Sequence, residues 1–239
     1  MHLVCARKIL NIDFLMKKPQ LLLLTLLSIA FFAAGQEAKL YDTEIYRTRT
    51  ALFKSETLAK NQIIFLGNSL TQNGKWEEYF PEQQPVNRGI IGDNTDGILA
   101  RLDEIIEAQP RKLFFLSGVN DISQNYSNDF ICNNMKEIIT RIKAGSPETV
   151  IYFQSLLPIN NSFERYKKLI GKEKQIRQLN KKIKQLCKKE NIIFINLYPS
   201  FQSEKQLLNP AITNDGLHLT AAGYEIWVNL IRTYIEEQD

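Results

Sequence analysis

The chain has 239 residues, of which 44% are hydrophobic and 23% charged, a balance that supports one well-buried core and shows no repeat, low-complexity tract or domain linker. Its formal charge is +4, but residues 1–35 hold four basic residues (Arg7, Lys8, Lys17, Lys18) against one acid (Asp13), so the remainder carries only +1. A chain so near neutrality is a poor electrostatic partner for nucleic acid.

The first segment reads as an export signal. Met16-Lys17-Lys18 gives a basic start, residues 21–32 an apolar run, and Ala33-Ala34-Gly35 the small residues of a cleavage site. An uncleaved membrane anchor is the competing reading, although the run falls short of the roughly 18 to 20 apolar residues that cross a bilayer. The expected mature protein therefore starts near Gln36, is secreted or periplasmic, and keeps no stable membrane insertion; Met16 is an alternative working start.

After a polar stretch with a helix expected over 46–58, short apolar runs alternate with amphipathic stretches. Residues 63–66, 113–116, 150–153 and 192–195 are continuous apolar runs of the kind that parallel strands show when both faces are covered, and 85–87 adds a short strand. Helical spacing runs over 95–108, 128–143, 166–189 and 221–236, the last with Thr220 as its expected cap. This alternation predicts one three-layer α/β/α domain over 36–239, built on a mostly parallel, flavodoxin-like sheet of about five strands. The lysines and arginines of 167–189 interleave with Ile176, Leu179, Ile183 and Leu186, which reads as the solvated face of an amphipathic helix. Cys132 and Cys187 fall in helical patterns among apolar neighbours, so buried free thiols are expected, with a single disulfide the alternative.

Parallel sheets bind ligands at the carboxyl ends of their strands, and four polar segments fall there. Gly67-Asn68-Ser69-Leu70 follows the first run, Asn87-Arg88-Gly89 the short one, and Gly118-Val119-Asn120-Asp121 the third; Asp215-Gly216-Leu217-His218 lies beyond the last. Taken singly each has a plain structural reading. Ser69 could cap a helix, Asn120 could close an Asx turn, Gly89 and Gly92 could be turn glycines, and Asp215 could sit at a helix start. Trp76, Tyr79 and Phe80 read as packing, with a substrate wall as the alternative.

Taken together they supply nucleophile, base and orienter, since His218 is the one histidine beyond the leader, an acid stands three residues before it, and Ser69 ends a strand. The carboxamide of Asn120 can donate to an oxyanion. Competing motifs fail on spacing. Six residues separate Gly67 from Gly74 where a phosphate loop has four, Trp76 stands where its Ser/Thr belongs, and the G-x-S-x-G elbow is missing. Asp93-Asn94-Thr95-Asp96-Gly97 has Ile98 where an EF-hand loop needs glycine, so a helix start is preferred there.

The four segments, in this order, resemble the blocks of the SGNH-hydrolase superfamily, the GDSL-like esterases and acylhydrolases. The likeness spans residues 62–227, and the stretch 87–102 is similar to the subgroup of platelet-activating-factor acetylhydrolase and bacterial carbohydrate acetylesterases. The resemblance implies Ser69 as nucleophile, His218 as base and Asp215 as its orienter, with the Ser69 and Gly89 N–H groups and the Asn120 side chain forming the oxyanion hole. It implies no metal and no organic cofactor, in keeping with one histidine and two separated cysteines, a poor zinc set. Asn68 stands where the family motif has aspartate, which puts loop contacts in question rather than the chemistry. The activity so implied is hydrolysis of short acyl esters, acetyl on a glycan foremost. A lysophospholipase or thioesterase with a longer acyl pocket and a non-catalytic carbohydrate-binding protein are the alternatives.

Overall fold

In the computed structural model, which describes residues 39–237, the apolar runs pair as a five-stranded, wholly parallel sheet in the order β2-β1-β3-β4-β5. The strands are β1 (Ile63–Gly67), β2 (Val86–Gly89), β3 (Lys112–Leu116), β4 (Val150–Gln154) and β5 (Ile193–Ile195). The leader read at 1–35 lies outside the described residues. Alternate strand residues feed two separate cores: Ile64, Leu66, Leu113, Phe115 and Phe153 pack on one face, Ile63, Phe65, Phe114, Leu116 and Tyr152 on the other. That is why β1 and β3 read as unbroken apolar runs, and it makes the molecule three-layered.

Helices α1 (Glu44–Ser55), α2 (Ser69–Gln72), α3 (Trp76–Tyr79), α4 (Thr95–Ala100), α5 (Leu102–Ala108), α6 (Val119–Ser123), α7 (Asn128–Gly145), α8 (Glu173–Glu190), α9 (Tyr198–Phe201) and α10 (Ala221–Glu236) connect or follow the strands. The face of Ile64 and Phe115 is covered by α4, α5, α7 and α8, and the opposite face by α10 with Trp76 and Phe80. Trp76 stacks on Phe65 with ring centres 4.0 Å apart and donates its indole N–H to the Thr71 carbonyl at 2.8 Å, so this aromatic group is packing. Lys112 is fully buried and spends its ammonium on the last carbonyls of the α10 end, Tyr234 at 3.1 Å and Glu237 at 2.6 Å, where the helix dipole welcomes a cation. Cys132 and Cys187 are free thiols.

Three sequence expectations need correction. The helix over 95–108 is two helices, broken at Arg101, which takes φ −121° and ψ 17°. Its guanidinium turns inward to Asp93 at 2.8 Å and to the carbonyls of Gly67 and Arg88, and the backbone leaves the helix at that residue. The helix over 166–189 starts only at Glu173, because two 3₁₀ turns (Asn161–Phe163, Lys167–Leu169) and Gly171, at φ +75°, precede it. Tyr166 and Leu169 stand at helical spacing from Ile176 without sharing its helix. Thr220 holds the capping position of α10 with extended backbone, yet its hydroxyl makes no capping bond.

Candidate active site

The strand order turns back between β2-β1 and β3-β4-β5, so the loops after β1 and β3 leave in different directions and open a crevice at their carboxyl ends. Ser69 sits in that crevice as the first residue of α2. Asn68, not Ser69, caps this turn: its side-chain oxygen accepts the Leu70 N–H at 3.0 Å. An aspartate oxygen could accept the same bond, so asparagine in the aspartate's place still caps this turn. Gly67 admits the turn because a Cβ there would run into the Thr71 hydroxyl and the Leu116 carbonyl.

From the far end of the chain, the segment before α10 brings in an acid and a base. Gly216 takes φ +82°, and a Cβ at this position would collide with the Asn160 carbonyl oxygen. Asn160 N–H donates to the Gly216 carbonyl at 2.8 Å, clipping this loop to the one that follows β4. Within the turn, Asp215 Oδ1 accepts the N–H groups of Leu217 (2.9 Å) and His218 (2.7 Å), while Oδ2 lies 2.8 Å from His218 Nδ1. His218 Nε2 is then 2.9 Å from Ser69 Oγ, across 149 residues of sequence.

Burial tends to raise the Asp215 pKa, but the bonds from the His218 ring, the two backbone N–H groups and the Tyr166 hydroxyl outweigh it and hold the carboxyl at about 2. Asp215 thus stays ionised as His218 gains and loses a proton. Because its folded pKa lies below the unfolded value, this group adds stability that is complete above about pH 4 and is lost as pH falls through about 2. Urea unfolding of wild type and Asp215→Asn between pH 2 and 7 should show a stability gap that is constant at the upper end and closes in that acid window. A gap independent of pH would show that the carboxylate is not so held.

Asn120 lies in α6, the short helix after β3. One N–H of its carboxamide is fixed to the Asp93 carbonyl at 2.8 Å, and the side chain lines the cavity beside Ser69. The following acid, Asp121, is fully buried and accepts the Thr95 N–H and hydroxyl, tying this loop to α4; burial pushes its pKa up to about 6.

Gly89 does not have the expected place. It is the last residue of β2, paired in register with Gly67, and its N–H donates to Asn87 Oδ1 at 2.9 Å. It serves instead as a packing point, where any Cβ would meet the Gln72 backbone. Gly92, three residues on at φ +80°, lines the cavity with Ser69, Asn120 and His218.

Sequence reasoning also missed Tyr166. Its hydroxyl donates to Asp215 Oδ2 at 2.9 Å and lies 3.0 Å from His218 Nδ1, with the ring edge-on to the imidazole; burial and the neighbouring carboxylate push its pKa up to about 12. Nothing local marks a tyrosine in a 3₁₀ region for this role.

Ser69, Gly92, Asn120, Tyr166 and His218 border a cavity of about 560 Å³, large enough for a small ligand, with Ile91, Leu169 and Leu217 as its apolar walls. An oxygen nucleophile, a base aimed at it and an ionised acid behind the base form the arrangement for nucleophilic acyl transfer.

The GDSL-like lipase/acylhydrolase family matches this chain over residues 65–226. Human platelet-activating factor acetylhydrolase IB subunit alpha2 is 26% identical over 173 residues, which cover 68% of this chain and 70% of that protein. Among solved structures, a GDSL-like lipase from Bacteroides thetaiotaomicron superposes with a TM-score of 0.71 at 25% identity, covering 83% of this chain and 98% of that one. An acetylxylan esterase from Geobacillus stearothermophilus, at 18% identity and a TM-score of 0.61 over 77% of this chain and 98% of its own, shares the fold. The match spans well over half the sequence and takes in all four motif segments whole: the chain belongs to the GDSL-like lipase/acylhydrolase family of the SGNH superfamily and is a serine hydrolase of ester bonds.

Proposed function

We propose that the protein is an exported esterase that removes short acyl groups, acetyl foremost, from carbohydrate through an acyl-serine intermediate. The observation that carries the chemistry is the unbroken chain from Ser69 Oγ through His218 to Asp215, opening on the cavity. His218 Nε2 takes the Ser69 proton as Oγ attacks the ester carbonyl carbon, and the carbonyl π electrons move to oxygen. The Ser69 N–H, the Gly92 N–H and the second N–H of the Asn120 carboxamide are the donors for that oxyanion, the first two having no protein partner among the described residues. Collapse expels the alcohol, which receives the proton from His218. Water, deprotonated by the same nitrogen, then attacks the acyl-serine, releasing the acid and restoring Ser69.

The preference for a short acyl group and a sugar rests on likeness to an acetylhydrolase and, at the level of fold, to an acetylxylan esterase. Export rests on the leader, and the amino terminus of protein recovered from its host, read by mass spectrometry, should fall near Gln36. An intact leader in the membrane fraction would favour the anchor.

Rates on matched acetyl, octanoyl and palmitoyl esters test the acyl preference. The acetyl ester should have the highest kcat/KM. Faster turnover of the palmitoyl ester would transfer the site to the lysophospholipase or thioesterase reading, and turnover of none would leave the carbohydrate-binding one.

A further inference from the structure

The lysines at 167 and 168, read from sequence as part of a solvated helix face, lie in neither α8 nor its continuation. The early 3₁₀ turns carry them, with Arg165, to the lip of the cavity that holds Ser69 and His218. Three of the residues lining this cavity are thus cationic and none is acidic. No carboxylate lies within ion-pairing distance of any of the three among the described residues, whereas Lys182 on the neighbouring helix pairs with Asp129. Of the nearby acids, Asp215 holds His218 and Tyr166 and Glu173 takes the Asn161 amide, while Glu164, next to Arg165 in the chain, is exposed and does not line the cavity. A cavity edged by one sign of charge concentrates ligands of the other.

The chemistry also says which part of the substrate meets this lip. The leaving alcohol must lie against the group that protonates it, His218. Tyr166, which touches the His218 ring, stands between Arg165 and Lys167 in the chain, so the cations belong to the alcohol side of the site. The acyl carbonyl, by contrast, meets uncharged donors, those of Ser69, Gly92 and Asn120.

We infer that the preferred substrate is an ester whose alcohol is an anionic saccharide, its carboxylate or phosphate received by Arg165, Lys167 and Lys168. This rests on the esterase reading given above, and the test separates the two.

The probes are 4-nitrophenyl acetate, an acetylated neutral methyl glucoside, the corresponding acetylated methyl glucuronide and an acetylated glucose 6-phosphate. For the wild-type protein at low ionic strength, kcat/KM on the better anionic sugar should exceed that on the neutral sugar by about tenfold. That ratio should fall several-fold on raising salt to about 0.5 M, as the Debye length shrinks toward a few ångströms. Whether glucuronide or sugar phosphate leads tells which anion the lip receives. In Arg165→Gln/Lys167→Gln/Lys168→Gln the anionic-to-neutral ratio should drop by about tenfold, a readout that cancels any general loss of activity. The wild-type salt series gives the answer even if the triple variant does not fold. Equal rates on neutral and charged sugars, a preference that ignores salt, an unchanged ratio in the triple variant, or hydrolysis of 4-nitrophenyl acetate but no sugar ester would each overturn the inference and spare the esterase reading. Failure to cleave any of the four esters would overturn both.

Discussion

Ser69→Ala should abolish turnover of every ester and every trace of labelling by a fluorophosphonate probe, while the protein melts as the wild type does. The probe requires a nucleophilic oxygen, and among the described residues the only hydroxyl within hydrogen-bond distance of His218 Nε2 is that of Ser69. Losing a triad member typically removes some four to six powers of ten in kcat, leaving the residue of catalysis that oxyanion donors and binding supply. Stability should change little, since the Ser69 hydroxyl holds only His218 and the turn is capped by Asn68. A folded Ser69→Ala protein that still labels stoichiometrically would mean that another serine is the nucleophile, and it would overturn the reading of the strand-end geometry as a whole.

The second large effect lies away from the reacting atoms. Arg101→Leu should destabilise the protein by about 3 to 5 kcal/mol, the range for removing one partner of a buried ion pair. The Arg101 side chain is 4% exposed and that of Asp93 not at all, with 2.8 Å between them. Burial already pushes the Asp93 pKa up to about 6 against the downward pull of Arg101, so without the guanidinium the carboxyl is left buried and uncompensated. The same cation also takes the carbonyls of Gly67 and Arg88, at the ends of β1 and β2. Asp93→Asn placed on the Arg101→Leu background should recover part of the loss, because it removes the stranded charge. Urea unfolding measures both, and a single-variant loss under about 1 kcal/mol would show that the pair does not hold these strand ends.

Much of this was legible in the sequence because it is written locally. A strand covered on both faces must be apolar at every position, and 63–66 and 113–116 are. The triad was legible by elimination, since one histidine beyond residues 1–35 leaves one base, and an acid three residues before it can fold beneath its ring. What escaped is what only long-range placement decides. Gly89 and Gly92 look alike as letters, but one still lies in a strand with its N–H turned to Asn87, whereas the other has left the strand at φ +80°. Arg101 ends its helix because Asp93 and two strand carbonyls draw it inward, and no helix propensity foretells that. Tyr166 reaches a histidine 52 positions away from a segment whose apolar spacing imitates the helix that follows.

The clip between Asn160 and Gly216 sorts the chain into parts that tolerate change differently. It joins the two loops through backbone atoms, N–H to carbonyl, while the Asn160 side chain holds its own loop through the Leu208 carbonyl and Ser162, and Gly216 has no substitute. Downstream of Asn160 the segment up to Gly171 lies at the surface apart from Leu169, which is buried in the core, and helps line the cavity, so its charge can drift while the acid and base remain docked by main chain. A lineage can therefore acquire new substrates by rewriting about ten residues, with Tyr166 as the one point at which that rewriting would reach the catalytic proton.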